Sequence, residues 1–312
     1  MNFTTAIFSA TNVRFVSMKT IRIPLFSFLV FFLFTRQVCF QEKTASQFFV
    51  AKQPVSESDT LLHQRFAPPP GYERAAADSG SFAFYLRHLP LKPPGSKVHL
   101  FDGREKANPD IYEAVVDLPI GKKNLHQCAD AVIRLRAEYL WCSGQFDKIH
   151  FNLTNGFRID YERWRKGGRV KVVGNQTTWE QKAATSNTYE TFWKYLECVF
   201  TYAGTLSLSK ELEAVASGGT TSSRATAMQI GDVFIQGGSP GHAVIIVDLA
   251  ADKSGNKVFL LAQSYMPAQE IQILKNPQNG NFSPWYSADF GEMLETPEWT
   301  FGGGDLKRFR SE

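Results

Sequence analysis

Cys128, His242 and Gln263 are the residues of this 312-residue chain whose types and order suit thiol-based acyl transfer. A thiolate is a strong nucleophile, an imidazole can take its proton and return it, and a carboxamide beside the ring can hold one tautomer. Cys128 comes just after the segment Lys-Asn-Leu-His and sits in the first turn of a helix. There the helix dipole and unbonded backbone N–H groups favour thiolate. His242 opens the apolar run HAVIIVDLA directly after the turn Gly-Ser-Pro-Gly, which puts its ring at a strand end. Gln263 follows Leu260, Leu261 and Ala262 on the next strand, a polar side chain in a buried run. Each residue also has a plain reading. Cysteine is among the most buried types, a histidine at a strand end commonly serves structure, and a core glutamine can serve the backbone.

A second tier could bind substrate: Arg134, Asp232, Tyr265 and Trp285. Arg134 stands four residues before Glu138, a spacing that pairs charges on a helix face, or it binds a carboxylate of an acidic substrate. Asp232 suits a turn, or a contact with the histidine loop. Tyr265, Trp285, Tyr286 and Trp299 gather after the strands, as a lid over the sheet edge or as a sugar-binding surface.

The elements that must position these groups follow from periodicity. Residues 81–89 form a short helix stopped by Pro90. Residues 98–103, 113–120 and 147–152 read as strands. A long helix carries Cys128, with Ala131, Leu135, Ala137 and Leu140 at helical spacing along one side. Residues 188–215 are helical in two pieces broken near Gly204, the first capped around Thr188 and the second by Ser209. After the loop GGTTSS come three strands, DVFIQG, HAVIIVDLA and KVFLLAQSY. Helices first and adjacent strands last predict an α+β fold with helices packed on an antiparallel sheet, not a doubly wound parallel one.

Composition sets the outer limits. At 43% hydrophobic and 13% aromatic, the chain has material for a sizeable core. The 34 basic residues are dispersed among 30 acidic ones, so no basic stripe points to nucleic acid. Residues 25–34, LFSFLVFFLF, follow Lys19 and Arg22 and read as an export leader over residues 1–40, with Met18 as an alternative start. Residues 41–71 read as a flexible spacer ending in Pro68, Pro69 and Pro70, and residues 72–312 as a single globular domain. The expected location is exported: periplasmic, secreted or attached to the cell envelope. Membrane contact is expected only through the leader or a lipid on Cys39. Of the three remaining cysteines, a Cys142–Cys198 disulfide would leave Cys128 unpaired. No metal cluster, phosphate-cradling loop or nucleotide fingerprint is present, so no cofactor is expected. The oligomeric state stays open.

GDVFIQGGSPGHAVIIVD (231–248) and LLAQSYMPAQEIQI (260–273) resemble the corresponding parts of NlpC-type cell-wall cysteine peptidases of the papain-like group. That resemblance implies a papain-like core with a helical insertion. Cys128 would be the nucleophile, His242 the base and Gln263 the orienting residue, and a cell-wall peptide or glycan the expected partner. The chain has Ala129-Asp130 where that group has Ser-Gly, and 114 positions separate Cys128 from His242. Over roughly residues 72–309 the chain resembles more closely a bacterial family, domain of unknown function 4846. QCADAVIRLRAEYL, YAGTLSLSKEL, GDVFIQGGSPGHAVIIVD, LLAQSYMPAQ, SPWY and TPEW carry that likeness. The family implies no activity. Cysteine hydrolase, noncatalytic wall- or glycan-binding domain, and structural envelope protein therefore stand as the three functional expectations.

Overall fold

The computed structural model describes residues 60–215 and 221–310. The leader and most of the spacer lie outside the described residues. The helices are α1 (Leu62–Arg65), α2 (Phe82–Arg87), α3 (Cys128–Cys142), α4 (Tyr161–Arg165), α5 (Tyr189–Tyr202), α6 (Thr205–Glu211) and α7 (Thr221–Ala227). Strands β1 (Tyr72–Arg74) and β2 (Tyr112–Val115) come early. The middle holds two hairpins, β3 (His150–Asn152) with β4 (Arg158–Asp160), and β5 (Gly168–Val173) with β6 (Gln176–Gln181). The last third supplies β7 (Glu213–Ala214), β8 (Val233–Gln236), β9 (His242–Asp252), β10 (Lys257–Gln263) and β11 (Gln272–Leu274). It ends with β12 (Tyr286–Ser287), β13 (Met293–Glu295), β14 (Thr300–Gly302) and β15 (Leu306–Arg308).

The main sheet runs in the order β2-β11-β10-β9-β8-β15-β7, with β1 added on β9 and β12 on β10. Its pairings are antiparallel. The fold is thus mixed helix and strand on a mainly antiparallel sheet, as the sequence predicts. β9 is apolar at nearly every position because both faces of the sheet are covered. Ala243, Ile245 and Val247 join the core that includes Ile133 and Leu135 of α3. Val244 and Ile246 join a second core with Phe234, Phe259 and Phe301. Between Leu260 and Leu261 the pairing with β9 slips by one residue. This bulge resets the alternation, so Asp248 and Ala250 lie on the α2–α3 side.

Several local expectations change. α3 is enclosed on more than one side, with 11 of its 15 residues buried, because the sheet covers one flank and aromatic residues of α5 another. Residues 98–103 form turns with isolated bridges, His99 to Glu105 and Leu100 to Gln269, instead of a strand. Thr188 caps α5 as expected, accepting the Thr191 N–H at 3.3 Å. Ser209 does not cap the next helix. α6 starts at Thr205, and the Gly204 N–H donates to the Ser207 hydroxyl at 3.0 Å. Part of the loop near residue 220 is α7. Leu62, inside the expected spacer, is fully buried, so the packed body begins ahead of the proline run. Cys142 and Cys198 form no disulfide, which corrects the expected pairing. No helix among the described residues is long and apolar enough to cross a membrane.

Candidate functional site

Cys128 is the first residue of α3. Asp130 Oδ2 accepts the Gln127 N–H at 2.9 Å and closes the first turn. The loop after β10 fixes this helix start in space. The Ser264 hydroxyl lies 2.9 Å from the His126 carbonyl oxygen and 2.7 Å from that of Gln269, and the Ala268 N–H donates to Asn124 Oδ1 at 2.8 Å. On the other flank, the Thr205 hydroxyl donates to the Gly238 carbonyl at 3.2 Å, seating α6 on the turn before β9. A Cβ at Gly241 would lie 2.5 Å from Thr205 Oγ1 and 2.6 Å from Gly238 O, so the residue before His242 must be glycine.

The first turn of α3 therefore meets the first residues of β9. Burial pushes the Cys128 thiol up to about 11, with the charge of Asp130 acting in the same direction. Backbone N–H groups of Ala129, Ala243 and Cys128 face the sulfur and pull the other way, but burial prevails. The helix start does act on the thiol as expected, yet the resting group at neutral pH is a thiol and not a thiolate. Its neighbour Asp130 is pushed up to about 8 by burial, so that carboxyl is mostly neutral at pH 7.

His242 is 1% exposed, and its Nε2 lies 2.8 Å from Gln263 Oε1. Burial lowers its pKa to about 4 and the Lys106 charge assists, against the bond to Gln263. The neutral ring packs against Tyr265 at 4.9 Å, Trp299 at 5.5 Å and Phe301 at 6.0 Å. Since an amide oxygen only accepts, Nε2 carries the hydrogen and Nδ1 keeps its lone pair. Among the described residues no side chain bonds to Nδ1 of His242 or to the Cys128 thiol, and the two share no hydrogen bond at rest.

Beyond Gln263, the amide nitrogen donates to Glu298 Oε2 at 2.5 Å, and Lys106 Nζ donates to both Glu298 oxygens at 2.8 and 2.9 Å. Trp299 Nε1 donates to Gln236 Oε1 at 3.0 Å, and Tyr265, Trp299 and Gln236 are only half-buried. Met266 beside them is exposed. Together they form a partly open edge beside the His242 ring.

The other residues singled out from sequence serve the framework. Arg134 is buried, donates to the Pro119 carbonyl at 2.6 Å, stacks over Trp193 and lies 3.6 Å from Glu138. It is enclosed between α3 and α5 and presents no face to a ligand. Asp232 is buried, receives the Arg308 guanidinium at 2.6 and 2.9 Å, and ties β15 to the turn before β8. Trp285 is buried and donates to the Ala67 carbonyl at 2.9 Å, while Tyr286 stacks on Phe259. The expected aromatic lid is thus two groups, with Tyr265 and Trp299 at the histidine and Trp285 and Tyr286 in the core. Sequence reasoning missed Lys106, Glu298 and Gln236. Glu298 stood inside the quoted TPEW segment, but nothing local marks it as the partner of an amide 35 residues away. A surface cavity of about 40 Å³, lined by Arg136, Lys148, His150 and Arg310 among others, opens two turns further along α3 and is too small for a peptide substrate.

The site is defined by a buried cysteine at a helix start, beside the Ala243 backbone, and by the preceding residue, the histidine that opens the central strand of a mainly antiparallel sheet. The chain that carries it belongs to the family described as Domain of unknown function (4846), whose model matches residues 62–308. No curated protein and no solved structure matches the chain.

Proposed function

We propose that this protein is an exported thiol hydrolase with a papain-like, NlpC-type core, cleaving an amide bond in a cell-wall peptide or a related small conjugate. The 2.8 Å contact between His242 Nε2 and Gln263 Oε1 carries the reading, because it leaves Nδ1 as the basic nitrogen at the end of β9 where α3 begins. The apolar run of residues 25–34 behind Lys19 and Arg22 supports export, with one globular body after the leader.

In the reaction, Nδ1 of His242 takes the thiol proton as Cys128 Sγ attacks the substrate carbonyl carbon. Backbone N–H groups at the helix start stabilise the oxyanion. Collapse breaks the C–N bond, and the leaving amine takes the proton held on Nδ1. Water, deprotonated by the same nitrogen, then hydrolyses the thioester and restores the thiol. Because the thiol and the ring are both neutral at rest, the proton moves during attack and no ion pair precedes it. Tyr265 and Trp299 border the entry and suit a small peptide or sugar-linked substrate.

A second reading has its own observation. Cys128 is 6% exposed and His242 1%, which suits a packed core in a noncatalytic wall- or glycan-binding domain whose working surface is the Tyr265–Trp299 edge. Incubation with the nitrophenyl ester of N-acetylalanine, followed by peptide mass mapping, separates the two. The hydrolase reading expects one acyl group on Cys128 in the wild type and none there in Cys128→Ala or His242→Ala. Acylation of Cys128 that ignores His242→Ala, or no acylation of Cys128, would overturn it.

A further inference from the structure

We propose that the Lys106–Glu298 ion pair is a positioning element that fixes the tautomer of His242, acting through the side-chain amide of Gln263. The inference deepens the thiol-hydrolase reading and rests on it for its catalytic meaning.

Hydrogen-bond polarity decides which end of Gln263 meets the ring. An ammonium only donates and a carboxylate only accepts, whereas an amide presents a donor at one end and an acceptor at the other. Left alone, Gln263 could turn either end toward the histidine. Lys106 Nζ donates to Glu298 Oε1 at 2.8 Å, to Oε2 at 2.9 Å and to Gln269 Oε1 at 2.9 Å. The Glu298 carboxylate therefore faces Gln263 as an acceptor and takes the Gln263 amide nitrogen. That choice turns Gln263 Oε1 toward His242 Nε2. An oxygen there accepts, so the ring hydrogen must sit on Nε2 and the lone pair on Nδ1, the nitrogen the reaction uses.

The pair is built to hold this setting. Its side chains are 7% and 19% exposed, so water competes weakly for the contacts. Lys106 also stacks over the Tyr265 ring at 5.2 Å, which ties the charge to the same aromatic wall that touches His242. If the pair only held loops together, its loss would lower stability and leave the ring's tautomer unchanged. A positioning role moves the tautomer.

The test uses the full chain labelled with ¹⁵N-histidine, with the His242 ring signals assigned by their loss in His242→Ala. The wild type is expected to show a protonated Nε2 and an unprotonated Nδ1. Glu298→Gln, whose amide can donate back to Gln263, is expected to populate the Nδ1–H form. Glu298→Asp is expected to retain the wild-type pattern. Haloacetamide alkylation of Cys128 should fall by on the order of 10²-fold in Glu298→Gln, the scale of lost general-base assistance. Glu298→Leu, which removes the acceptor and frees Gln263 to turn either end toward the ring, gives the same readout, with both tautomers expected, if Glu298→Gln does not fold. A tautomer shift with Cys128 slow in every protein, wild type included, retains this inference and removes the hydrolase reading. A folded variant that keeps the wild-type tautomer overturns the inference, whatever the thiol does.

Discussion

At one end of the buried part of β9, Asp248 has a donor for each oxygen, while at the other end His242 Nδ1 and the Cys128 thiol have no side-chain partner among the described residues. Asp248 Oδ1 receives Arg87 Nε at 2.7 Å and the Leu249 N–H at 2.9 Å, and Oδ2 receives Arg74 Nε at 2.8 Å. The remaining guanidinium groups donate to the carbonyls of Ala75, His63 and Phe66. The carboxylate is fully buried and both its oxygens are held by donors, so the network rigidifies the junction of α1, α2, β1 and β9. At the His242 end, Nε2 is committed to Gln263 while Nδ1 and the thiol take no side-chain partner among the described residues. Two buried polar clusters on one strand differ in spare bonding capacity, and that difference separates a structural site from one that can accept a reacting group.

The largest expected effect lies at the saturated end. Asp248→Ala leaves Arg87 buried without its partner and should cost about 3–5 kcal/mol of unfolding free energy in denaturant titration. A loss under about 1 kcal/mol would break the contrast. Acid should act on the other end. His242 at about 4 and His126 at about 3 both lie below 6.5 because burial penalises the charged ring. The unfolded chain then binds more protons in this range. Stability present above pH 6.5 is lost as pH falls toward 4, on the order of a few kcal/mol for the two rings together. Unfolding curves at pH 7.5 and 4.5, compared between the wild type and His242→Gln, measure the His242 share as the part of the slope that the substitution removes.

Asp130 carries the opposite sign. Its folded pKa of about 8 lies above 3.8, so its contribution is full below pH 3.8 and is lost as pH rises through 8. Asp130→Asn should accordingly stabilise the protein by about 1–3 kcal/mol at pH 8 and give no gain at pH 3.5. Equal effects at both values would mean that burial of the charge is not what the substitution relieves. The smallest expected effect is Thr188→Ala, which removes a helix cap away from both clusters and should cost about 1 kcal/mol in thermal unfolding.

Much of the frame was legible because its signals are local. The apolar run at 242–250, the glycine turn before it and the helical spacing after Cys128 each announce an element, and the antiparallel order of β8, β9 and β10 follows from their short connections. Cys128, His242 and Gln263 were legible by type and position. What sequence hid was environment. Nothing near Cys128 in the chain shows that burial outweighs the helix start, nor that Asp130 would sit buried beside it. Trp285 and Trp299 look alike in sequence, yet one is a core residue and the other borders the histidine, because only the fold brings Gln236 to the Trp299 ring nitrogen. Lys106 and Glu298 meet across 192 positions, beyond the reach of any local pattern.

Cys198 offers an internal control for the central claim, since burial raises its thiol to about 11, as it does for Cys128, while its side chain is the less buried of the two. The decisive measurement is the alkylation rate of each cysteine by iodoacetamide in the folded protein, by peptide mapping, in the wild type and in His242→Ala. Access alone would make Cys198 the faster. If His242 serves Cys128 as a base, Cys128 reacts faster than Cys198 in the wild type and loses that lead in His242→Ala. If Cys128 is the slower thiol and its rate ignores the histidine, the thiol-hydrolase account is wrong.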